Sequence, residues 1–308
     1  MEPQQTPEIK FAHTAFRAYG LAENAVITSI PTARSRTVLR AEASKDVAYI
    51  IRVSDSSTNH LLENEVHITT QLSKTNLQSA AIIPFSNKGM FYNEANRTVV
   101  VTRFIPGQHP VAGKVSIATA RRLGTALAQF HSSVTSLPYS NADQLLSQSP
   151  TDWIKSELKI AKLADLEELK HVAHSFNDND LPVGIIHGDF HTNNILIEGD
   201  KIALLDFEYS GEGVLLLDIT RSALDICRSG NLFSEAKLKA YIAGYESIRP
   251  LTHAEWDMLG AAFAYATLVV ANWFNKHGLV TECNQFISRG IVAMGLVESV
   301  RCMELMEV

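Results

Sequence analysis

The sequence predicts an α+β fold in two lobes: a small N-terminal lobe with an antiparallel sheet plus a helix, and a larger, mainly helical C-terminal lobe. Three observations predict it. Residues 25 to 53 hold three short, β-branched runs separated by polar turns, which is the pattern of a strand meander. The second half of the chain shows apolar residues mostly at helical spacing. The length of 308 residues with 46% hydrophobic content suits one unit of roughly 100 plus 200 residues with a sizeable core. The lobes are expected to span 1–105 and 106–308, and no internal repeat or low-complexity tract interrupts them.

The strands of the small lobe are AVITSI, TVLRAEA and VAYIIRV, with PTARSR and SKD between them. LLENEVHITTQLS, residues 61 to 73, places Leu61, Leu62, Val66, Ile68 and Leu72 on an imperfect helical stripe. TVVVTRFIPG, residues 98 to 107, is a strand running into a Pro-Gly break. SIATARRLGTALAQFHSSV, residues 116 to 134, reads as a helix capped by Ser116. Residues 136 to 153, rich in Ser, Pro and Asn, read as a loop holding a short helix. NILI and IALL flank the Gly-containing turn IEGD, for which a hairpin is the simplest structure. Pro250 ends one later helix, and Thr252 with Glu255 forms a capping box for the next. That next helix includes MLGAAFAYATLVVANWF, residues 258 to 274, nearly all apolar and slightly shorter than the membrane-spanning length of about 20 residues. Standing alone, preceded by Asp257 and holding Asn272, it reads as the buried helix of a helical lobe.

Composition excludes several classes. A formal charge of −6 and a pI near 6.0 give no basic field for nucleic acid. Cys227, Cys283 and Cys302 form no C-x-x-C pair, which fits a reducing cytoplasm and no disulfide framework. The N-terminal MEPQQTPEIK has neither the basic nor the apolar region of a secretion signal.

The chemistry concentrates in GIIHGDFHTNNILIEGDKIALLDFEYS, residues 184 to 210. Asn194 follows Asp189 by five residues, the spacing of the protein-kinase catalytic loop H-R-D-x-x-x-x-N. In that loop the Asp takes the acceptor hydroxyl's proton late in transfer, and the Asn amide oxygen helps hold Mg2+. Asp206, twelve residues beyond Asn194 at the end of an apolar strand, falls where a second metal ligand belongs, and the hairpin returns it to Asn194. Two such oxygen ligands suffice for Mg2+ when ATP and water supply the others. His187 and His191 are four apart, but the Gly between them and the missing H-E-x-x-H pattern argue against a zinc pair.

HGDFHTNNIL followed by LLDFE resembles the aminoglycoside phosphotransferase and choline kinase superfamily, small-molecule kinases with a protein-kinase-like fold. The resemblance implies that the first lobe binds nucleotide and the second carries catalysis and acceptor. It implies that Asp218 in GVLLLDIT, together with His187, braces the catalytic segment. It implies that Arg52 stands where protein kinases place a strand Lys, gripping phosphate, with Glu65 as its helix partner and Glu63 the competing choice. PTARSR lacks glycine, so backbone amides with Ser35, Arg34 or Arg36 would bind the phosphates. The hinge to the adenine falls at Thr102, Arg103 and Phe104, extending toward Pro106. His131 falls where the superfamily has an L-x-x-L-H helix.

AYIAGYESIRPLTHAEWDMLGAAF, residues 240 to 263, is similar to a segment of type II homoserine kinases. Homoserine or a related amino alcohol therefore leads the acceptors, ahead of aminoglycosides or other antibiotics, choline-type amines and sugars such as methylthioribose. Glu208, Glu212 and Asp225 are candidates to bind an ammonium, and Tyr209 and Trp273 stand between core and pocket. Only eleven residues separate Asp206 from Asp218 and no A-P-E motif follows, which disfavours a protein substrate. The expected activity is ATP- and Mg2+-dependent transfer to a small-molecule hydroxyl in the cytoplasm, with no nucleic acid or membrane partner. A catalytically silent nucleotide-binding module is the alternative of another class.

Overall fold

The computed structural model describes residues 7–22, 24–30, 37–86, 89–140 and 163–301. Its first element is a helix absent from the strand-and-helix reading above: α1, Pro7–Ala18. A five-stranded antiparallel sheet follows in the order β1-β2-β3-β6-β5, with β1 Val26–Ser29, β2 Thr37–Ser44, β3 Val47–Asp55, β5 Tyr92–Glu94 and β6 Arg97–Arg103. Period-two alternation sorts its side chains onto two faces. Leu39, Ala41, Tyr49, Ile51, Val99 and Val101 pack against Phe11, Ala12, Ala15 and Phe16 of α1. On the other face, Val100 meets Leu62 of α2, Asn59–Leu72. Because Arg52 alternates with Ile51, it is delivered to the α2 side.

The second lobe is mainly helical. In chain order its helices are α3 Ile117–Ser133, α4 Leu163–His174, α5 Leu215–Ile226, α6 Glu235–Glu246, α7 His253–Lys276, α8 Val280–Gly295 and α9 Val297–Arg301. Ser116 caps α3 by accepting from Thr119 N, and Thr252 and Glu255 close the expected capping box on α7. α3 and α6 approach closely at two glycines: a Cβ on Gly124 would strike Tyr241 O, and one on Gly244 would strike Arg121 O. Thr125 Oγ1 donates to Gly244 O at 2.9 Å across this crossing. α7 is long and apolar enough to cross a membrane by length and composition, yet 72% of its apolar window is buried in the protein.

The hairpin forms as expected from β8 Ile195–Glu198 and β9 Lys201–Leu204, with Ile195 opposite Leu204. A short strand from the first half of the chain, β4 Gln78–Ser79, joins β9 in parallel, and Ile68, Leu72 and Leu77 enter the large-lobe core. The lobes are therefore stitched behind α2; at the β6 exit, still within the first lobe, Phe104 N donates to Ala48 O at 2.9 Å. Past that exit Gln108 exchanges hydrogen bonds with Ile197 of β8 at 3.0 and 2.9 Å. Strands β7 Val183–Ile186 and β10 Gly211–Val214 pair on either side of residues 187–210. Two short strands, β11 Arg228–Ser229 and β12 Leu232–Phe233, pair beyond α5.

Candidate active site

The catalytic segment leaves β7 and turns at Gly188, which has φ +77°. A Cβ there would strike Tyr209 O, so only glycine lets the Phe207–Ser210 turn pack against the loop. Two backbone amides of this turn are held from beneath: Asp218 accepts from His187 N at 2.7 Å and from Gly188 N at 3.1 Å. The Asp218 carboxylate also meets His131 Nε2 at 3.0 Å. His131 Nδ1 lies 2.7 Å from Tyr245 OH, to which Arg249 Nη1 donates at 3.3 Å. Arg249 Nη2 in turn pairs with the fully buried Glu255 at 2.9 Å. The bonds run consistently if Tyr245 donates to Nδ1 and the Nε2 proton faces Asp218. The R-P-L-T segment thus reaches the catalytic loop through a buried polar chain. Burial alone would raise the Asp218 carboxyl; the His131 hydrogen bond first, with the donated His187 amide, overcomes it and holds it below its ordinary range.

The His187 ring packs against Phe130, Phe190 and Phe207 at centroid distances of 5.5, 5.6 and 5.2 Å, with neither nitrogen hydrogen-bonded. Burial pushes its pKa down, so it sits as a neutral ring and braces through its backbone and packing. That placement separates it from His191. Among the described residues, no group of three or more His, Cys, Asp or Glu could hold a metal.

Asp189 is reached from three directions. Arg221 Nη2 donates to Oδ1 at 3.1 Å, His191 Nε2 meets Oδ2 at 3.2 Å, and Asn194 Nδ2 donates to Oδ2 at 3.1 Å and to the Asp189 carbonyl at 3.0 Å. His191 Nδ1 accepts from Asn193 N at 3.1 Å, which leaves the ring proton on Nε2, facing the carboxylate. Burial would raise the Asp189 carboxyl, but the His191 hydrogen bond and the fields of His191 and Arg221 hold it far below the usual range. It is a carboxylate at any physiological pH.

Asn194 turns its amide nitrogen to Asp189, so its oxygen is the atom offered elsewhere. Leu205 N donates to Asn194 O at 2.9 Å, closing the hairpin and holding Asn194 beside the residue before Asp206. Asp206 itself adopts φ +60°, a left-handed conformation that costs a non-glycine residue about 1 kcal/mol or more. Its carboxylate lies within electrostatic reach of Arg52. At Arg52, burial works against the guanidinium's charge, and Glu65 first, then Asp206, outweigh that penalty and raise its pKa. Arg52 Nη2 contacts Glu65 Oε1 at 2.6 Å, and Glu63 instead faces Tyr139. An amide oxygen and a carboxylate form a hard-oxygen set that fits Mg2+ with phosphate and water completing it.

Other expected site residues fall as follows. Ser35, with Arg34 and Arg36, lies outside the described residues, as does most of the 136–153 loop. Thr102 is buried, Arg103 exposed, and the Phe104 ring lies 4.3 Å from the Arg40 guanidinium. Asp225 Oδ2 accepts from both Thr192 N and Thr192 Oγ1, at 3.0 and 2.9 Å, so this candidate for an ammonium holds the loop's 3-10 turn. Glu208 and Tyr209 sit half-buried beside the turn, and Glu212 is exposed. Trp273 stacks on His277, centroids 4.1 Å apart, at the far end of α7. Sequence reasoning missed Arg221 and the contact of His191 with Asp189. The H-x-x-N spacing offered a signal for His191; Arg221 arrives from a separate helix and had none.

A two-lobed fold with a strand cation over a braced catalytic loop is the protein-kinase-like class. Within it, residues 26–251 match the model of the phosphotransferase enzyme family, and the chain belongs to that family. It is 31% identical over 195 residues to a homoserine kinase of Methylocella silvestris, the match covering 59% of this chain and 60% of that protein. The chain thus aligns with about three fifths of the length of that relative. Among solved structures, a microcompartment-associated aminopropanol kinase superposes with TM-score 0.70 at 19% identity, covering 94% of this chain and 98% of that one. An amicoumacin kinase in complex with AMP-PNP and Ca2+ superposes with TM-score 0.65 at 14% identity, covering 96% of each chain. These two likenesses concern the fold.

Proposed function

We propose that this protein is a kinase that uses Mg2+ and ATP to phosphorylate a hydroxyl of a small molecule, homoserine or a related amino alcohol. The observation that carries the proposal is the Arg52–Glu65 pair within the electrostatic reach of Asp206, which the hairpin holds next to Asn194, itself bonded to the ionised Asp189. The names of the relatives support the acceptor class, and the AMP-PNP and Ca2+ of the amicoumacin kinase support a nucleotide and a divalent cation. The buried free thiols Cys227 and Cys283 suit a cytoplasmic setting.

In this reading Asp189 orients the acceptor hydroxyl in line with the γ-phosphorus and receives its proton late in transfer. Little covalent work falls to protein, so positioning and charge neutralisation dominate. Arg52 holds phosphate oxygens from above, fixed by Glu65. Asn194 and Asp206 would hold Mg2+, which when bound neutralises charge on the transferring phosphoryl group. Arg221 and His191 keep Asp189 ionised and oriented before the acceptor arrives.

The test is ADP release with Mg-ATP across homoserine, choline, methylthioribose and several aminoglycosides. Acceptor-dependent ADP with homoserine or a close analogue is expected. Preference for an aminoglycoside or choline would reassign the acceptor, and nucleotide binding without turnover on any acceptor would instead favour a silent module.

A further inference from the structure

We infer that the acceptor site contains a carboxylate-binding subsite formed by Arg221, Arg228 and Arg289 beside Asp189, so that the acceptor is a hydroxy amino acid. The inference rests on the kinase reading above and narrows it, setting hydroxy amino acids apart from amino alcohols and aminosugars that lack a carboxylate.

Arg221 on α5 is 7% exposed. One nitrogen, Nη2, reaches Asp189, while Nε and Nη1 are buried without a partner. Leaving the N–H groups of two guanidinium nitrogens unsatisfied in a buried position is costly, and this residue touches the catalytic base. Arg228, just past the end of α5, repeats the pattern. Its Nε is buried without a hydrogen bond and lies 3.9 Å from Asp225 Oδ1, beyond hydrogen-bond reach. Arg289 on α8, 5% exposed, donates to Leu224 O and Gln285 O at 3.1 and 3.3 Å. Its guanidinium lies 4.7 Å from the Phe286 ring, and that of Arg221 5.8 Å from the same ring. Two helices therefore bring Arg221 and Arg289 to one aromatic ring on the flank of the catalytic loop, with Arg228 following α5 beside Asp225.

Two carboxylates oppose these three cations, and both are already engaged: Asp189 with His191 and Asn194, Asp225 with Thr192. The surplus is felt at Arg289, whose pKa is drawn down to about 10 by burial first, then by Arg228, with Asp225 offsetting part and Arg221 adding to it. A carboxylate accepts guanidinium N–H groups and cancels the surplus charge. An acceptor whose only charges are ammonium groups would add to it.

The experiment compares kcat/KM for L-homoserine, L-homoserinamide and 3-aminopropan-1-ol, by ADP release with Mg-ATP, for the full chain and for Arg228→Gln and Arg228→Lys. A ratio of substrates within one variant is insensitive to partial unfolding. The wild type is expected to prefer homoserine to both uncharged-end analogues by about tenfold to a hundredfold, the range for a charge-assisted hydrogen bond. Arg228→Gln is expected to cut that preference about tenfold, and Arg228→Lys to retain most of it. Turnover of 3-aminopropan-1-ol or homoserinamide as efficiently as homoserine, or a preference untouched by Arg228→Gln, would overturn the subsite while leaving the kinase standing. No ADP from these or from choline and aminoglycosides would overturn the kinase reading itself, and the subsite with it.

Discussion

Replacing Asp218 with Asn tests the brace that this structure places under the catalytic loop. The carboxylate has no solvent exposure and accepts three donors: His187 N, Gly188 N and His131 Nε2. An amide presents one acceptor oxygen and one NH2, so either the Gly188 amide or the His187 and His131 donors must face a donor. Removing one partner of a buried charged network costs about 3–5 kcal/mol, against a total stability of about 5–15 kcal/mol. In a chain of this size that is a fall in Tm of roughly 10 °C, read by differential scanning calorimetry. Activity is expected to fall further than stability suggests, because Asp189 rides on the two amides that Asp218 holds. A displacement of about 1 Å at the base costs on the order of 100-fold in rate. Tyr245→Phe is the graded control: it leaves His131 Nδ1 unpaired at the far end, a loss of about 1–3 kcal/mol, with a smaller drop in kcat. Asp218→Asn with a Tm within about 2 °C of wild type and unchanged kcat would refute the reasoning.

Further outcomes follow from other contacts. Glu65→Gln removes the charge that fixes Arg52 at 2.6 Å, and kcat/KM for Mg-ATP is expected to fall about 10- to 100-fold, with a smaller loss in Arg52→Lys than in Arg52→Ala. Gly124→Ala forces α3 away from the Tyr241 carbonyl of α6 and is expected to lower stability by about 1–3 kcal/mol, measured by urea unfolding, without changing substrate preference. Acid sensitivity is expected in two windows. His187 is held neutral with its pKa below 6.5, so the unfolded chain binds the extra proton and stability declines as pH falls below that value. The carboxyls of Asp218 and Asp225 are held below 3.8, so their contribution is present above that pH and lost beneath it. A Tm that stays flat from pH 7 to pH 4 would contradict the first window.

The hairpin, the strand order leading to Arg52 and the helix carrying Glu65 were legible because each depends on local pattern: period-two strands, a turn of Gly and Asp, a helical stripe. Ser116 and Thr252 announced their helices through side chains that cap the backbone directly. α1 carried its own signal, with Phe11, Ala12, Ala15 and Phe16 at helical spacing, but the polar residues before it drew the reading toward secretion signals alone. The choice between Glu63 and Glu65 was not local, since only packing of α2 on β3 decides which carboxylate faces Arg52. The same holds for Arg221, which meets Asp189, and for Arg289, which meets the Leu224 carbonyl of another helix. His131 was legible only as the superfamily histidine and Tyr245 and Arg249 only as part of the 240–263 segment, and tertiary structure joins them into one chain. The positive φ of Asp206 left no trace in composition, because strain at a functional position opposes local preference.

The proposed reaction is transfer of the ATP γ-phosphoryl group to an acceptor hydroxyl at Asp189. It is tested most directly by following L-homoserine and Mg-ATP with 31P NMR, for wild type and for Asp189→Asn, alongside nucleotide affinity by calorimetry. The account predicts a phosphate ester with wild type, a rate lowered about 100- to 10,000-fold in the variant, and nucleotide affinity nearly unchanged. Equal ester formation by both proteins, or no nucleotide binding by the wild type, would contradict it.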